Sequence, residues 1–358
     1  MKFALLIRIK MTNSNKDKTV LVTGGSGFVG IHCILQLLEQ GYTVKTTLRS
    51  MNRQEEVKDM LRFGGISSFE NLSFIEANLS KDDNWNEAVK NCDYVLHVAT
   101  PISLEVPKDE NDVILPAVEG TLRVLKAAKE AGVKRVVLTS SFAAVGYSHN
   151  DPKTLITEES WTDPTDKTLS AYLKSKTLAE KAAWNYIANE GKGLELSVIN
   201  PMGIFGPSLG PDISSGFEVL KQMLDGTMKA IPKVSFGIVD VRDVADLHLR
   251  AMINPAANGE RFLAFAGEII SLPEIAQLLK NKLGNKASKV STTILPNWAV
   301  RIIALFNDKA KNIVPQLNRI KNASNLKAKT TLNWKPRTSE EALLASAESL
   351  FQFGGVKI

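Results

Sequence analysis

The chain has 358 residues, of which 44% are hydrophobic and 23% are charged. This length and composition are typical of a soluble globular protein with one large or two smaller domains. Since no run approaches the roughly 20 apolar residues of a membrane span, we expect no integral membrane protein. We also expect neither a disulfide framework nor a metal site, because the cysteines lie in apolar segments and the histidines lack metal-ligand spacing (Cys33, Cys92; His32, His97, His149, His248).

The net charge of +6 is distributed unevenly along the chain. Residues 275–339 contain thirteen Lys or Arg and a single acid, Asp308, so the remainder has 31 basic and 37 acidic residues. A solvated basic face is the ordinary interpretation, and a field that attracts an anionic cofactor or substrate is the alternative. Nucleic acid binding is not indicated, because no aromatic-interleaved basic motif accompanies the charge.

The first residues do not resemble a secretory signal. Their apolar patch, Phe3 to Ile7, is short, and no small-residue cleavage site follows it. Met11 precedes a polar stretch and is a plausible alternative start. We therefore expect residues 1–16 to form a poorly ordered extension and the protein to be cytoplasmic.

The first predicted elements form a β-α-β unit over residues 19–48. An apolar strand at Val20 to Val22 is followed by glycines, an amphipathic helical pattern and a β-branched strand at Tyr42 to Leu48. Residues without Cβ let backbone amides approach a pyrophosphate at the helix N-terminus, so the unit predicts dinucleotide binding. The glycines fit G-x-G-x-x-G and G-x-x-G-x-x-G at once (Gly24, Gly25, Gly27, Gly30).

Strands and helices then alternate as far as Asn200. The strands run as continuous apolar blocks, which is typical of a parallel sheet covered by helices on both faces. The fold class is therefore α/β, a Rossmann-type doubly wound parallel sheet, with the nucleotide beyond the carboxyl ends of the strands. The further strands are predicted at 72–77, 93–99, 135–141 and 194–200, and the helices at 53–63, 85–90, 112–131 and 170–190.

The pattern changes after Asn200, where Gly and Pro become frequent. We expect a dinucleotide-binding domain at 17–200, rejoined by about 233–254, and a smaller substrate-binding lobe at 201–232 and 255–358. In this part of the chain a strand is predicted at 234–240, a capping box at 271–274, and helices at 216–224, 244–252, 271–283, 297–306 and 340–351.

The end of the second strand predicts which nicotinamide cofactor is used. A fold that selects NAD places an acid there for the ribose 2′-hydroxyl, whereas a 2′-phosphate requires arginine. Here the strand ends at Arg49, Arg53 follows one turn later, and no acid occurs before Glu55. A guanidinium can stack on the adenine and donate two hydrogen bonds to the phosphate, so we predict NADPH.

A catalytic pair is predicted at the start of the helix at 170–190. Tyr172 and Lys176 are four residues apart and share one helical face, so the ammonium can lie near the phenol and lower its pKa from about 10. The triplet Thr139-Ser140-Ser141 ends the fifth strand, at the edge where the nicotinamide is expected. A hydroxyl there can hydrogen-bond a substrate oxygen as negative charge develops.

Five motifs are specific in combination: Thr23-Gly-Gly-Ser-Gly-Phe-Val-Gly30, His97-Val-Ala-Thr-Pro101, Val137-Leu-Thr-Ser-Ser141, Tyr172-x-x-x-Lys176 and Asn200-Pro-Met-Gly-Ile-Phe-Gly-Pro207. With them the chain resembles an extended short-chain dehydrogenase/reductase from about Lys18 to Leu350. Within that family it resembles the group of dihydroflavonol 4-reductases, cinnamoyl-CoA reductases and aldehyde reductases. The resemblance implies an NADPH-dependent reductase of a small-molecule aldehyde or ketone. We expect a monomer or homodimer.

The resemblance also implies a role for each matching residue. Ser141 is the catalytic serine, Tyr172 is the proton donor, and Lys176 lowers the pKa of Tyr172 and holds the nicotinamide ribose. The implied cofactor contacts are Gly24, Gly27, Phe28, Val29, Gly30, Arg49, Arg53, Asn78, Leu79, Val98, Ala99, Thr100, Tyr172, Lys176, Asn200 and Pro201.

Two positions depart from the family pattern. Asn78 stands where relatives usually have Asp, and its carbonyl can still accept a hydrogen bond from the adenine amino group. Gly146 lacks the polar side chain with which plant flavonoid reductases contact their substrate, which favours a general carbonyl reductase.

Three other functions share parts of this pattern. A sugar-nucleotide epimerase or dehydratase has the same fold and Tyr-x-x-x-Lys but retains NAD, which Arg49 argues against. A non-catalytic redox sensor would bind the dinucleotide but has no need for the set of Ser141, Tyr172 and Lys176. The stretch 206–210 also matches the G-x-S-x-G serine hydrolase elbow, but we expect neither a strand directly before it nor a helix directly after it.

Overall fold

The computed structural model describes residues 15–101, 107, 109–149, 151–211 and 215–356. The predicted extension at 1–16 therefore lies outside the described residues except for its last two positions. Within the described ranges, no helix combines the length and the apolar character that crossing a bilayer requires.

The strands coincide largely with the apolar runs of the sequence. In chain order they are β1 (Thr19–Val22), β2 (Thr43–Leu48), β3 (Leu72–Glu76), β4 (Tyr94–His97), β5 (Arg135–Thr139), β6 (Glu195–Pro201), β7 (Gly203–Phe205), β8 (Ile231–Pro232), β9 (Ser235–Asp240), β10 (Arg261–Ala264), β11 (Ile269–Ser271) and β12 (Ile294–Leu295).

Several of the described helices begin at a residue whose side chain accepts a hydrogen bond from an amide of the first turn. Ser170, Ser271 and Thr338 do so at three of them, and the predicted capping box of Ser271 with Glu274 is confirmed. In chain order the helices are α1 (Phe28–Glu39), α2 (Gln54–Phe63), α3 (Trp85–Val89), α4 (Asn111–Glu130), α5 (Ala171–Asn189), α6 (Glu218–Leu224), α7 (Val241–Ile253), α8 (Leu272–Leu283), α9 (Asn297–Ile303), α10 (Asp308–Ile313), α11 (Leu326–Thr331) and α12 (Ser339–Gln352).

Seven strands form one parallel sheet in the order β10-β6-β5-β4-β1-β2-β3. Its two faces are buried by different helices, because successive side chains of a strand point to opposite sides. Val20 and Val22 of β1 belong to the core shared with α1, α2 and α7, whereas Leu21 belongs to the core shared with α3, α4 and α5. The predicted doubly wound α/β fold is confirmed.

The position of the site follows from the strand order. From β1 the chain builds outward through β2 and β3 on one side, then crosses to β4, β5 and β6 on the other. Helices from the two sides diverge at this switch point, which leaves a crevice beyond the carboxyl ends of β1 and β4.

The smaller lobe is built from segments that are far apart in the chain. β9 pairs in parallel with β7 and antiparallel with β11, while β8 pairs with β12. Helices α6, α8 and α12 pack on these strands around a common apolar core that includes Phe205, Phe217, Leu220, Leu272 and Leu343.

Two details differ from the predicted domain boundaries. The sequence prediction places residues 261–264 in the smaller lobe, but they form β10, which pairs with β6 and is an edge of the large sheet. The strand at 235–240 lies within the segment expected to rejoin the large domain, yet it pairs in the small sheet, and α7 after it packs on the large sheet together with Val239 of the strand. A short apolar run has the same period in either sheet, so its pattern does not determine its partner.

Candidate active site

A cleft of about 790 Å³ lies beyond the carboxyl ends of the parallel strands, where the smaller lobe approaches them. Its walls come from the loops after β1, β2, β3, β4 and β5, from the start of α5 and from the segment after β6. Apart from Asn200, every residue predicted to bind the cofactor or act in catalysis lines this cleft.

The glycine loop leaves no room for side chains between β1 and α1. Gly24 has a φ of +71°, and a Cβ on Gly30 would lie 2.4 Å from the carbonyl oxygen of Gly24. Gly27 precedes α1 and has no side chain to cap it. The first amides of α1 therefore point into the cleft with the positive end of the helix dipole, as a diphosphate requires.

A threonine that sequence reasoning passed over locks this loop to the one after β4. The Thr23 hydroxyl accepts hydrogen bonds from the amides of Val98 (3.0 Å) and Ala99 (2.9 Å). Its own proton is then directed to Nδ1 of His97, 2.9 Å away. Burial, together with the charge of Lys176, lowers the pKa of His97 to about 3, so this histidine is a neutral structural acceptor.

The two predicted arginines lie at the adenosine end of the cleft in different settings. Arg49 follows β2 directly and is exposed. Arg53 closes the short turn after it and forms a bidentate ion pair with Glu56 at 2.6 and 2.7 Å. Because the charge of Arg53 is partly neutralised by Glu56, Arg49 is the better placed of the two to bind a 2′-phosphate.

Asn78 lies at the tip of β3 with its side chain in a local turn. Its Oδ1 accepts a hydrogen bond from the amide of Ser80 at 3.0 Å, and its backbone carbonyl accepts one from the indole of Trp85. An amide oxygen has two lone pairs, so Oδ1 retains capacity for one more donor, such as an adenine amino group.

The catalytic candidates meet at the other end of the cleft. Tyr172 lies in the first turn of α5 with 42% of its surface exposed, and Ser141 hydrogen-bonds its hydroxyl. The Ser141 side chain also accepts the amide of Ala143, which fixes the turn after β5. Lys176, one turn further along α5, is buried and donates to the Thr100 hydroxyl at 3.0 Å.

The electrostatics of this group differ in part from the prediction. Although 42% of the Tyr172 surface is exposed, the protein around it in the cleft desolvates its hydroxyl and raises its pKa above the ordinary value, and the hydrogen bond from Ser141 offsets this only in part. Burial also lowers the pKa of Lys176 to about 8, against an opposing effect of Glu180. The ammonium donates to Thr100, and the expected lowering of the Tyr172 pKa by Lys176 is not seen.

Asn200 lies behind the cleft instead of in it. Its side chain is fully buried, and its Nδ2 donates to the backbone carbonyl of Ser141 (3.1 Å) and to Glu180 (2.7 Å). The structure thus gives Asn200 a supporting position in place of the predicted cofactor contact, whereas Pro201 does line the cleft.

The G-x-S-x-G stretch is not a nucleophile elbow. A short strand, β7, does end directly before Gly206, contrary to the expectation. However, the Ser208 side chain is buried, and its hydroxyl donates to the carbonyl of Gly210 at 2.8 Å. His32 lies close but contacts the backbone of Pro207, so no base faces the hydroxyl within the described residues.

The fold and the cleft together define a dinucleotide-binding protein of the extended short-chain dehydrogenase/reductase class. Residues 20–264 match the NAD dependent epimerase/dehydratase family, and the chain belongs to that family. The predicted resemblance to the cinnamoyl-CoA reductase and aldehyde reductase group is confirmed.

Relatives with known names support the same group. A cinnamoyl-CoA reductase of Medicago truncatula is 35% identical over 276 residues, which cover 75% of this chain and 82% of that protein. Tetraketide alpha-pyrone reductase 2 of Arabidopsis thaliana is 35% identical over 273 residues, covering 74% and 83%. The crystal structure of yeast methylglyoxal/isovaleraldehyde reductase Gre2 complexed with NADPH superposes with a TM-score of 0.79 at 27% identity, over 94% of this chain and 99% of that one.

Proposed function

We propose that the protein is an NADPH-dependent carbonyl reductase that converts an aldehyde or ketone to an alcohol, with Tyr172 as the proton donor. The observation that carries the proposal is the meeting of Ser141, Tyr172 and Lys176 in the same cleft as the glycine loop and Arg49. The predicted enzyme class, an NADP-dependent oxidoreductase, and the predicted cofactor agree with relatives that are named reductases and with the NADPH complex of Gre2.

The residues present fit a phosphorylated dinucleotide. The glycine loop suits the diphosphate. A Cβ at Gly30 would strike the carbonyl oxygen of Gly24, so only glycine there lets the loop backbone lie close enough to bind a diphosphate. Arg49 is placed for the 2′-phosphate, and Lys176 and Thr100 are placed for the nicotinamide ribose. When bound, NADPH supplies the hydride.

The side chains at the other end supply the proton. Tyr172 carries its proton at neutral pH, as a phenol with a pKa of about 10 or above does, so it has the proton that a general acid gives to the carbonyl oxygen. Ser141 donates to the phenolate that remains and thereby stabilises its charge. The balance is one hydride to carbon and one proton to oxygen.

The substrate end of the cleft favours a compact, uncharged carbonyl compound. A Cβ on Gly146 would lie 2.2 Å from the Phe142 ring, so no polar side chain fits where flavonoid reductases carry one. Met202 and Ile204 add apolar surface. Among the described lining residues the cations are Arg49, Arg53 and Lys176, all of them assigned to the cofactor, so we expect acyl-CoA thioesters to be poorer substrates than aldehydes.

Arg49, at the adenosine end of the cleft, argues against the competing epimerase or dehydratase function. An enzyme that retains its cofactor does not need 2′-phosphate selection, whereas a reductant that exchanges at each turnover does. The exposed position of Arg49 at the cleft supports exchange of NADPH. Cytoplasmic location and a monomeric or homodimeric state stay predictions.

The proposal is tested by following NADPH oxidation with aldehydes, aryl ketones, flavanonols and acyl-CoA thioesters. Replacing Tyr172 by Phe is expected to lower kcat by about 10²-fold or more while NADPH binding persists, since only the proton donor is lost. Tyr186→Phe, a change in a buried tyrosine on the same helix, is the control and is expected to stay within about twofold. Unchanged turnover of Tyr172→Phe, or tightly bound NAD in the purified protein, would contradict the proposal.

A further inference from the structure

A buried carboxylate lies directly beneath the catalytic group. Glu180 is 1% exposed, and four donors converge on its two oxygens. Its Oε2 accepts from the Ser140 hydroxyl and from Nδ2 of Asn200 at 2.7 Å. Its Oε1 accepts from Nε of Arg261 at 2.6 Å and from the indole of Trp184 at 3.3 Å.

Trp184 lies on the same helix as Glu180, and the other three donors come from the ends of three parallel strands. Ser140 follows β5, Asn200 lies in β6 and Arg261 opens β10, so one carboxylate of α5 joins three neighbouring strands. Asn200 extends the network to the catalytic serine, because the same Nδ2 donates to the carbonyl of Ser141. Arg261 is itself held by the backbone carbonyls of residues 158 and 160 and stacks on the Trp161 ring at 3.7 Å.

Helix geometry aligns this carboxylate with the reacting groups. Tyr172, Lys176 and Glu180 are spaced at i, i+4 and i+8 along α5 and therefore follow one face of the helix. The first two face the cleft, and the third anchors the same face to the strand ends that carry Ser141.

We propose that Glu180 is a positioning residue that fixes Ser141 at the level of Tyr172 and maintains the charge on Lys176. This inference rests on the proposed reductase function and adds a residue to its machinery. A carboxylate suits the position because it accepts all four donors, whereas a glutamine amide would present its own N–H groups to two of them.

The electrostatic part of the inference follows from the groups around the lysine. Glu180 and Tyr172 on its own helix lie around Lys176, as do His97 at the end of β4 and Thr100 in the segment after it. His97 is neutral above about pH 3, so Glu180 is the acid that raises the pKa of Lys176 against burial. Removing its charge is expected to lower that pKa further below about 8.

The test compares Glu180→Gln with Glu158→Gln. Glu158 is also buried, and its carboxylate accepts from the amide of Leu263, but it does not contact Ser140 or Asn200. For Glu180→Gln we expect kcat to fall about 10- to 100-fold with KM for the carbonyl compound within about threefold, because the geometry is lost and not the binding surface. In Glu180→Gln the alkaline limb of the pH profile of kcat should also move to lower pH. In Glu158→Gln we expect kcat and the position of its alkaline limb to stay unchanged.

The inference is overturned if Glu180→Gln and Glu158→Gln have the same kcat, or if their alkaline limbs coincide. If Glu180→Gln does not fold, Ser140→Ala is the second variant. It removes one hydrogen-bond donor to Glu180 without burying a new polar group, and we expect it to lower kcat about three- to tenfold with NADPH affinity unchanged. A Ser140→Ala protein with the wild-type kcat would overturn the inference. If the wild-type protein binds NADPH but reduces no carbonyl compound, the proposed function is contradicted and the inference about Glu180 is not. In that case the pH dependence of NADPH binding, compared between the wild-type protein and Glu180→Gln, still tests whether Glu180 supports the charge on Lys176.

Discussion

The large domain and the smaller lobe are held together by interactions of very different range. In the large domain, each loop of the cofactor half follows the strand that places it: Gly24 comes two residues after β1, Arg49 one residue after β2 and Asn78 two residues after β3. In the smaller lobe, α12 reaches β7 across some 140 residues, where Ser346 bonds both backbone groups of Gly206.

The two regions also differ in their histidines, the side chains whose protonation state changes in mild acid. The histidines His32, His97 and His248 are all buried in the large domain, on α1, β4 and α7, and burial lowers each of their pKa values. The smaller lobe, built from the segments after β6 other than α7 and β10, contains no histidine. Acid therefore acts on one half of the molecule through groups that the other half lacks.

The largest effect we predict is the loss of stability of the large domain in mild acid. The pKa values of His32 and His248 are lowered to about 4, so below about pH 6.5 the unfolded chain binds protons that the native state excludes. Stability is therefore present above pH 6.5 and is lost as the pH falls toward 4, by about 2 to 3 kcal/mol for each of these two histidines. Hydrogen exchange at pH 5 and pH 7 measures this, and equal loss of protection in both regions would contradict it.

The next effect concerns the glycine loop. Gly30→Ala places a Cβ against the backbone oxygen of Gly24, so we expect NADPH affinity to fall about 10²-fold or more. Gly64→Ala is the matched control, because its Cβ would meet the flexible tips of the Leu35 side chain first and the carbonyl oxygen of Leu61 only at 3.3 Å, and it should bind NADPH normally. Fluorescence titration with NADPH measures both, and a normal dissociation constant for Gly30→Ala would exclude the loop as the diphosphate site.

Cofactor preference provides the third prediction. Arg49→Asp removes the cation at the end of β2 and adds an acid for the ribose hydroxyl, so we expect the NADPH to NADH preference to fall about 10- to 100-fold. Arg62→Ala, on α2 and outside the cleft, should leave the ratio unchanged. The ratio of kcat/KM values for the two cofactors measures this, and an unchanged ratio in Arg49→Asp would assign the 2′-phosphate to another residue.

The smallest effect tests the long-range contact of the lobe. Ser346→Ala leaves the buried amide of Gly206 without its partner at 2.7 Å and is expected to lower the free energy of unfolding by about 1 to 3 kcal/mol. NADPH affinity should not change, because the contact lies outside the cofactor half. Glu348→Ala, an exposed change on the same helix, should stay within about 0.5 kcal/mol. Denaturant unfolding followed with and without NADPH separates these outcomes.

The sequence by itself determined what depends on neighbours along the chain. The β-α-β unit, the alternation of apolar strands and helices and the spacing of Tyr172 and Lys176 are local patterns, and the structure realises each of them. They were readable because strand, loop and helix preferences are set by a few adjacent residues.

Only the tertiary structure decided what depends on residues far apart in the chain. β10 joins β6 across some 60 residues, Asn200 turns away from the cleft toward Ser141, and three donors from other segments converge on Glu180. A glutamate on a helix has the same pattern whether it faces water or a buried network. Its surroundings, and hence its charge and role, are set by which strands the folded chain brings beside it.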